Sequence, residues 1–249
     1  MVSAMSFDEK AMARASQAQA VLDDCGATDL IADVIRRVWT TNVDRFDPAA
    51  GDTTRLLGFE SAENLTKLVP GLSTSDDQWR ATGLAVSAPN GSLLLAKDGM
   101  RFRFVKVAAE FGLRPDWQHG FSWENGSNTR SRSATLNQAV YHPAHVEPGM
   151  ESLFPLDGLA NEGDPSKLNE FFLTWAGVND EEHRTAGWLC VPSSGERPVL
   201  AALPLWFDEP RNGGVSTSAP SAPASDGTAE PEVAIALKKN LGRAGNGRV

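Results

Sequence analysis

Apolar residues recur every three or four positions near the start of the chain, which is the spacing of an amphipathic helix. Ser6 and Glu9 have the separation of a capping box, and the segment that they open ends at Gly26. A second apolar stripe follows, and its members are Leu30, Ile31, Val34, Ile35, Val38 and Trp39. The pattern therefore predicts one helix before Gly26 and a second helix at about residues 29–44, with Trp39 buried.

After residue 50 the pattern changes to short runs that are typical of β-strands. About seven such runs occur, at residues 55–59, 81–87, 92–96, 100–107, 171–176, 185–191 and 199–207. The pairs Asn90-Gly91 and Asp98-Gly99 lie between three of these runs and favour tight hairpins, because both central residues of such turns need a positive φ. We expect a three-stranded antiparallel meander over residues 81–107.

The remaining segments of the main body have weaker patterns. Residues 61–69 predict a brief helix that Pro70 and Gly71 stop, and residues 114–133 are polar enough to predict a long loop. Residues 134–165 follow neither period. The predicted fold class is α+β, with two N-terminal helices packed on a mainly antiparallel sheet of about seven strands and a disordered C-terminal tail.

The end of the chain differs in composition from the rest. We predict a single α+β domain over residues 1–208, a flexible linker over 209–229, and a basic tail with a possible short helix over 230–249. Sixteen of the twenty residues at 210–229 are Pro, Ser, Ala, Gly or Thr, which favours a flexible coil.

The basic tail contains one apolar stripe. Val233, Leu237 and Leu241 would fall on one face of a helix that is too short to be stable alone. Two interpretations stay open. The motif folds in the groove of a partner, which is either an unknown protein or the acidic body of the same molecule, or the tail is solvated and has no partner.

Composition restricts the classes of protein to which the chain can belong. Apolar residues make up 41% and charged residues 22%, as in a globular protein, and the net charge is −9. An acidic body makes nucleic acid an unlikely partner, since phosphate backbones would be repelled. The chain has neither a long apolar stretch nor a signal peptide, so we expect a cytoplasmic protein that does not contact the membrane. Cys25 and Cys190 are then expected as free thiols, with Cys190 buried.

The known catalytic motifs for phosphate binding, dinucleotide binding and serine hydrolysis are absent. We therefore favour a non-enzymatic interaction or regulatory protein and predict no cofactor. The enzymatic alternative is a hydrolase that uses His119, or His142 and His145, with acidic partners. A domain that binds a small ligand is the remaining interpretation. Those last two histidines and Glu147 could also hold zinc, but Pro143 prevents a regular helical presentation, so surface histidines without a metal are the favoured interpretation.

The segment at residues 116–124 is the most distinctive part of the sequence. Trp117, His119, Phe121 and Trp123 are candidate binding residues, because rigid aromatic side chains on a loop suit a binding surface. The competing interpretation, which we favour, is that the aromatic residues anchor a long loop to the core.

A metal-dependent nuclease with a degenerate site is a second alternative. Asp52 precedes a predicted strand and Lys106 ends one, as in nucleases that pair an upstream Asp with Asp/Glu-x-Lys. The second carboxylate is missing, however, and Lys106 could simply extend to solvent from the end of its strand. In the same strand, period-2 geometry predicts Phe102 and Phe104 on the buried face and Arg101 and Arg103 on a solvated face.

Overall fold

The computed structural model describes residues 7–108, 111–117, 123, 127–141, 163–194 and 197–210. The predicted α+β class is confirmed, but one sheet of six strands replaces the seven expected. The helices are α1 (Glu9–Asp24), α2 (Ala27–Val43), α3 (Thr54–Ser75), α4 (Asp77–Ala81) and α5 (Asn128–Tyr141). The strands are β1 (Ala85–Ser87), β2 (Leu94–Lys97), β3 (Met100–Lys106), β4 (Glu170–Gly177), β5 (Thr185–Pro192) and β6 (Val199–Phe207).

The strands follow one another in the sheet in the order β1-β2-β3-β4-β5-β6. Four of the five pairings are antiparallel. The exception is the central pair β3–β4, which is parallel. A parallel pair needs a crossover connection of a dozen or more residues, and the chain between β3 and β4, which contains α5, provides it.

The first two helices form close to where the sequence predicts them. The Asp8 carboxylate caps α1 by accepting a hydrogen bond from the Ala11 N–H at 2.8 Å, while Ser6 lies outside the described residues. Gly26 adopts a left-handed conformation, with φ of 71°, at the junction with α2. Trp39 is 3% exposed, as predicted, and its indole N–H donates to the carbonyl oxygen of Val178 at 3.0 Å.

Helix α3 corrects two predictions. The strand predicted at residues 55–59 and the helix end predicted at Pro70 are both wrong, because one helix continues through both positions. Its buried residues recur at intervals of four, namely Leu57, Ser61, Leu65 and Val69. Burial of this stripe outweighs the local strand-like composition of residues 55–59. Pro70 lacks a backbone N–H, but the loss of this one hydrogen bond does not end the helix.

The predicted meander β1-β2-β3 is confirmed. Asp98 and Gly99 have φ values of 51° and 76°, as the tight hairpin between β2 and β3 requires. Strand β2 begins at Leu94, which lies opposite Arg103, so the last three residues of β3 extend past the start of β2. A gap in the sheet edge therefore opens beside the end of β3.

The sequence pattern does not predict α5, because this helix docks through polar side chains. Its buried residues are Ser133, Ala134 and Asn137. The Asn137 amide donates to the carbonyl oxygens of Glu170 and Pro192 at 2.7 and 2.9 Å. The Ser133 hydroxyl donates to the Glu170 carboxylate at 2.7 Å. An analysis of apolar periodicity cannot detect a helix that is held in this way.

Two apolar clusters lie on opposite faces of the sheet, as alternation along β3 requires. The first joins Phe102 and Phe104 to apolar residues of α1, α2 and α3. The second joins Val105 to Ala134 of α5 and to Trp123. The burial predicted for Phe102 and Phe104 is confirmed.

The predicted exposure of the two arginines of β3 holds for one of them. Arg101 is exposed, but Arg103 is 2% exposed, so the prediction that both arginines are solvated is wrong. The sequence does not reveal that α5 covers this face.

Cys25 and Cys190 are both free thiols, and burial raises the pKa of Cys190 to about 12. Cys190 is fully buried, as predicted, and its raised pKa disfavours the reactive thiolate.

Contacts divide the chain into the units Met1–Asn212 and Gly213–Val249. The second unit contains the predicted tail motif Val233, Leu237 and Leu241, which lies outside the described residues. Within the described ranges, none of the helices is long and apolar enough to cross a bilayer.

Candidate functional site

A cavity of about 550 Å³ lies where β3 extends past β2. Its walls are α3, the turn at residues 90–93, the end of β3 and the first turn of α5. Its volume is within the range of typical small-molecule sites. Trp175 of β4 also lines the cavity, so five separate segments of the chain meet there.

Lys106, at the end of β3, forms part of the cavity wall. Its ammonium nitrogen lies 5.0 Å from the ring centroid of Trp39 and 5.2 Å from that of Trp175. It donates one hydrogen bond, to the carbonyl oxygen of Val107 at 3.2 Å. A Cβ atom at Gly58 of α3 would lie only 3.3 Å from the Lys106 Cε, so this glycine lets α3 approach the lysine stem closely.

Burial lowers the pKa of Lys106 to about 8. The interpretation that Lys106 extends freely to solvent from the end of β3 is therefore wrong. None of the carboxylates in the described ranges forms an ion pair with Lys106. An ammonium group that is desolvated without a carboxylate partner destabilises a folded protein, and the two indole rings and the hydrogen bond to Val107 compensate this cost in part.

A second cation, Arg130, enters the wall from the first turn of α5. Burial lowers its pKa as well, and its guanidinium has no carboxylate partner in the part of the chain that the structure describes. Glu63, the acidic side chain among the described lining residues, lies 2.6 Å from Lys67 and is neutralised by it. The described lining of the cavity therefore has a net charge of about +2.

Arg103 lies behind this wall and is almost fully buried. Its Nη1 donates to the hydroxyl oxygen of Ser92, a lining residue, at 3.2 Å, and its Nε has no hydrogen-bond partner among the described residues. Burial lowers the pKa of Arg103, and the nearby charges of Arg101 and Arg130 lower it further, against the opposing effect of Glu170. Arg101 and Arg103 thus lie close to one buried carboxylate, that of Glu170, whose hydrogen bond with Ser133 holds α5.

Apolar side chains form another part of the wall. Leu65, Leu93, Phe104 and Trp175 are buried in the core beside the cavity. Phe59, on α3, is 66% exposed and also lines the cavity. Its ring is therefore accessible to a molecule in the cavity.

The candidate binding residues from sequence lie elsewhere, as far as they are described. Trp123 is 5% exposed and packs edge-on against Phe172 with ring centroids 4.8 Å apart, while its indole N–H donates to the Pro198 carbonyl oxygen. Trp117 is half-buried, and its ring centroid lies 5.4 Å from that of Trp188. These contacts support the interpretation of both tryptophans as anchors of their segment to the sheet.

The histidine candidates and the rest of the aromatic segment fall outside the described residues, namely His119, Phe121, His142, His145 and Glu147. In the described ranges, no group of three His, Cys, Asp or Glu side chains is arranged to hold a metal ion.

The structure removes the geometric basis of the nuclease interpretation. Asp52 precedes helix α3, not a strand. Its carboxylate accepts a hydrogen bond from the backbone N–H of Asp47 at 2.9 Å and so closes a local turn. Lys106 belongs to the cavity, but the strand that the interpretation needs after Asp52 is absent.

Sequence reasoning selected Lys106 for another role and missed Arg130 and Ser92. The missed residues have no local signal, because Arg130 lies in a segment predicted as a loop and Ser92 in a predicted strand. One usable signal was Lys106 itself, a charged residue that continues the alternation of Phe102 and Phe104 on the buried face of β3.

Comparison of the chain with known protein families, with curated proteins and with solved structures finds no match.

Proposed function

We propose that this chain is a non-enzymatic regulatory or interaction protein that binds a small organic anion in the cavity between α3, β3 and α5. The observation that carries the proposal is the presence of Lys106 and Arg130 in the wall of one cavity, both partly desolvated and neither paired with a carboxylate of the described residues. A bound anion would supply the missing negative charge.

The apolar wall supports an organic ligand over an inorganic ion. Phe59, Leu65 and Phe104 offer rings and methyl groups on the side of α3 and β3. A ligand with a charged group and an apolar body would satisfy both parts of the lining, as small-molecule sites usually do.

The described lining favours binding over catalysis. It contains neither His, Cys nor Asp, and its Glu63 is paired with Lys67. The described lining therefore offers no His, Cys or free carboxylate as a general base or nucleophile; Lys106, with its lowered pKa, is the remaining candidate and has no acidic partner there. The hydrolase and nuclease alternatives gain no observation in their favour.

The other expectations from sequence remain proposals. A regulatory protein of this kind would be cytoplasmic and would transmit ligand binding to a protein partner. The acidic body argues against nucleic acid as that partner. The tail residues Val233, Leu237 and Leu241 stay a candidate contact for it.

The proposal is tested by thermal denaturation of the full chain with paired probes, namely phenylacetate and phenyl phosphate against their neutral analogues phenylacetamide and benzyl alcohol. We expect an anion to raise the melting temperature and its neutral analogue to have no effect. A ligand present at about 100 times its Kd stabilises the folded state by about 2.7 kcal/mol.

Matched variants locate the site. Arg130→Gln should abolish the stabilisation, whereas Arg132→Gln, an exposed arginine on the same helix, should preserve it. The proposal is wrong if no anion stabilises the wild-type chain, or if both variants respond as the wild type does.

A further inference from the structure

We propose that the anionic group recognised in this cavity is the doubly charged phosphoryl group of a small phosphomonoester, held between Lys106, Arg130 and the hydroxyl of Ser92. This inference rests on the proposed function and specifies the ligand class.

The first argument is the charge of the site. Lys106 and Arg130 contribute two positive charges, and the described lining offers no free carboxylate against them. A carboxylate ligand would neutralise one of these charges and leave the other desolvated. A phosphomonoester carries about −1.5 to −2 at pH 7, which balances both.

The second argument is the number of free donors. The Lys106 ammonium has three N–H groups, of which one is used by Val107. The Arg130 guanidinium has five, and none of them donates to an acceptor in the described ranges. A tetrahedral phosphoryl group presents three oxygens in different directions, whereas a carboxylate presents two in one plane.

The third argument is the state of Ser92. Its oxygen accepts a hydrogen bond from Arg103 at 3.2 Å, so its own hydroxyl hydrogen is available to an acceptor in the cavity. Arg103 is held against the core with its Nε unpaired, close enough to Arg130 to feel its charge. We assign Arg103 the role of a positioning residue, which orients Ser92 and adds positive potential behind the site.

The fourth argument is the position of the rest of the ligand. Phe59 is exposed beside the cavity, and Phe104 forms part of the wall. An aromatic or other flat group esterified to the phosphoryl group can pack on these rings, which an inorganic phosphate ion cannot do. The expected class is therefore a small phosphorylated organic molecule with a ring.

Isothermal titration calorimetry with three probes tests this inference on the full chain. Phenyl phosphate should bind at least tenfold more tightly than phenylacetate or inorganic phosphate at pH 7. Its affinity should fall about fourfold between pH 7.0 and 5.5, because the second phosphate proton has a pKa near 6. The affinity should also decrease as the pH is raised above 8, because Lys106 then loses its proton.

Variants separate the contributions of the residues. Arg130→Gln and Ser92→Ala should weaken phenyl phosphate, the serine change by about three- to tenfold, with Arg132→Gln as the unchanged control. Lys106→Met should remove the decrease in affinity above pH 8. Arg103→Gln should weaken the binding of phenyl phosphate less in the Ser92→Ala background than in the wild-type background. In the Ser92→Ala background only the positive charge of Arg103 is lost, because there is no hydroxyl left to orient.

The outcomes distinguish the two proposals. If phenylacetate binds as tightly as phenyl phosphate, with affinity unchanged between pH 5.5 and 7.0, the phosphoryl assignment is wrong and the proposed function stands. If phenyl phosphate binds equally to the wild type, Arg130→Gln and Ser92→Ala, the assigned residues are wrong. If no anion binds, both proposals fail together.

Discussion

Replacement of Lys106 by methionine should make the folded chain more stable at neutral pH. Methionine retains the length and apolar stem of the side chain but removes the ammonium group between Trp39 and Trp175. Most substitutions of a buried residue destabilise a protein. A gain in stability would therefore indicate that the lysine is retained for binding and not for folding.

The magnitude follows from two opposing contributions. Burial lowers the Lys106 pKa from 10.5 to about 8, and this shift corresponds to about 3 kcal/mol of destabilisation at pH 7. Each of the two indole rings returns about 0.5–1 kcal/mol through its contact with the cation. The net gain on replacement is therefore about 1–2 kcal/mol. In a domain of this size it would raise the melting temperature by roughly 2–8 °C.

The pH dependence provides a second readout with a defined sign. Because the pKa of Lys106 is lower in the folded state, the unfolded chain binds more protons between pH 8 and 10.5. The wild type should therefore gain stability relative to the variant across that window. The advantage of Lys106→Met should be complete below about pH 8 and absent above about pH 10.5.

Urea denaturation of both proteins at pH 7 and at pH 10, followed by tryptophan fluorescence, measures the difference. Lys167→Met, at an exposed lysine paired with Asp164, is the control and should change stability by less than about 0.5 kcal/mol. A loss of more than 1 kcal/mol in Lys106→Met at pH 7 would refute the reasoning. It would mean that the aromatic contacts outweigh the desolvation and that the lysine is structural.

Two further predictions concern the ends and the packing of the sheet. Burial by itself would raise the pKa of Asp208, but hydrogen bonds from Arg36 and Thr185 outweigh it and hold the pKa below its usual value. The carboxylate therefore stabilises the fold above about pH 4 and loses this effect in acid. The difference in the free energy of unfolding between the wild type and Asp208→Asn, measured in urea, should decrease as the pH falls from 6 to 3. A constant difference would contradict this prediction. Gly187→Ala should cost about 1–3 kcal/mol, because the new methyl group would overlap the Trp206 ring. Gly71 lies in α3, and no described atom beyond its chain neighbours and the local helix backbone lies within 4 Å of a new Cβ there. Gly71→Ala should therefore stabilise the fold by up to about 1 kcal/mol. Equal effects of the two changes on the melting temperature would disprove this account of packing.

The sequence by itself determined the elements whose signal is local. In α2, an apolar stripe at helical spacing predicted both the helix and the burial of Trp39. The hairpin at Asp98-Gly99 and the run of β6 at residues 199–207 were found at their observed positions. In these segments the residues that stabilise the element lie within one turn or one strand of each other, so their spacing is visible in the sequence.

Only the tertiary structure decided the elements that depend on distant partners. Helix α5 packs through Ser133 and Asn137 onto Glu170 and Pro192, and no apolar periodicity marks such contacts. At residues 55–59 the local composition favoured a strand, whereas burial of a stripe that extends to Val69 selected a helix. Secondary structure follows the burial that the whole fold offers, not the local preference alone.

The candidate site, too, was decided only by the tertiary structure. Lys106, Arg130 and Ser92 come from three segments that meet because β3 extends past β2 and pairs in parallel with β4, which requires the crossover that contains α5. Each of these residues is ordinary in its own sequence window. Their chemistry arises from the loss of solvent and of carboxylate partners around two cations. Solvent exposure and pairing are properties of the packed molecule, so the sequence could name a lysine but not the cavity that makes it unusual.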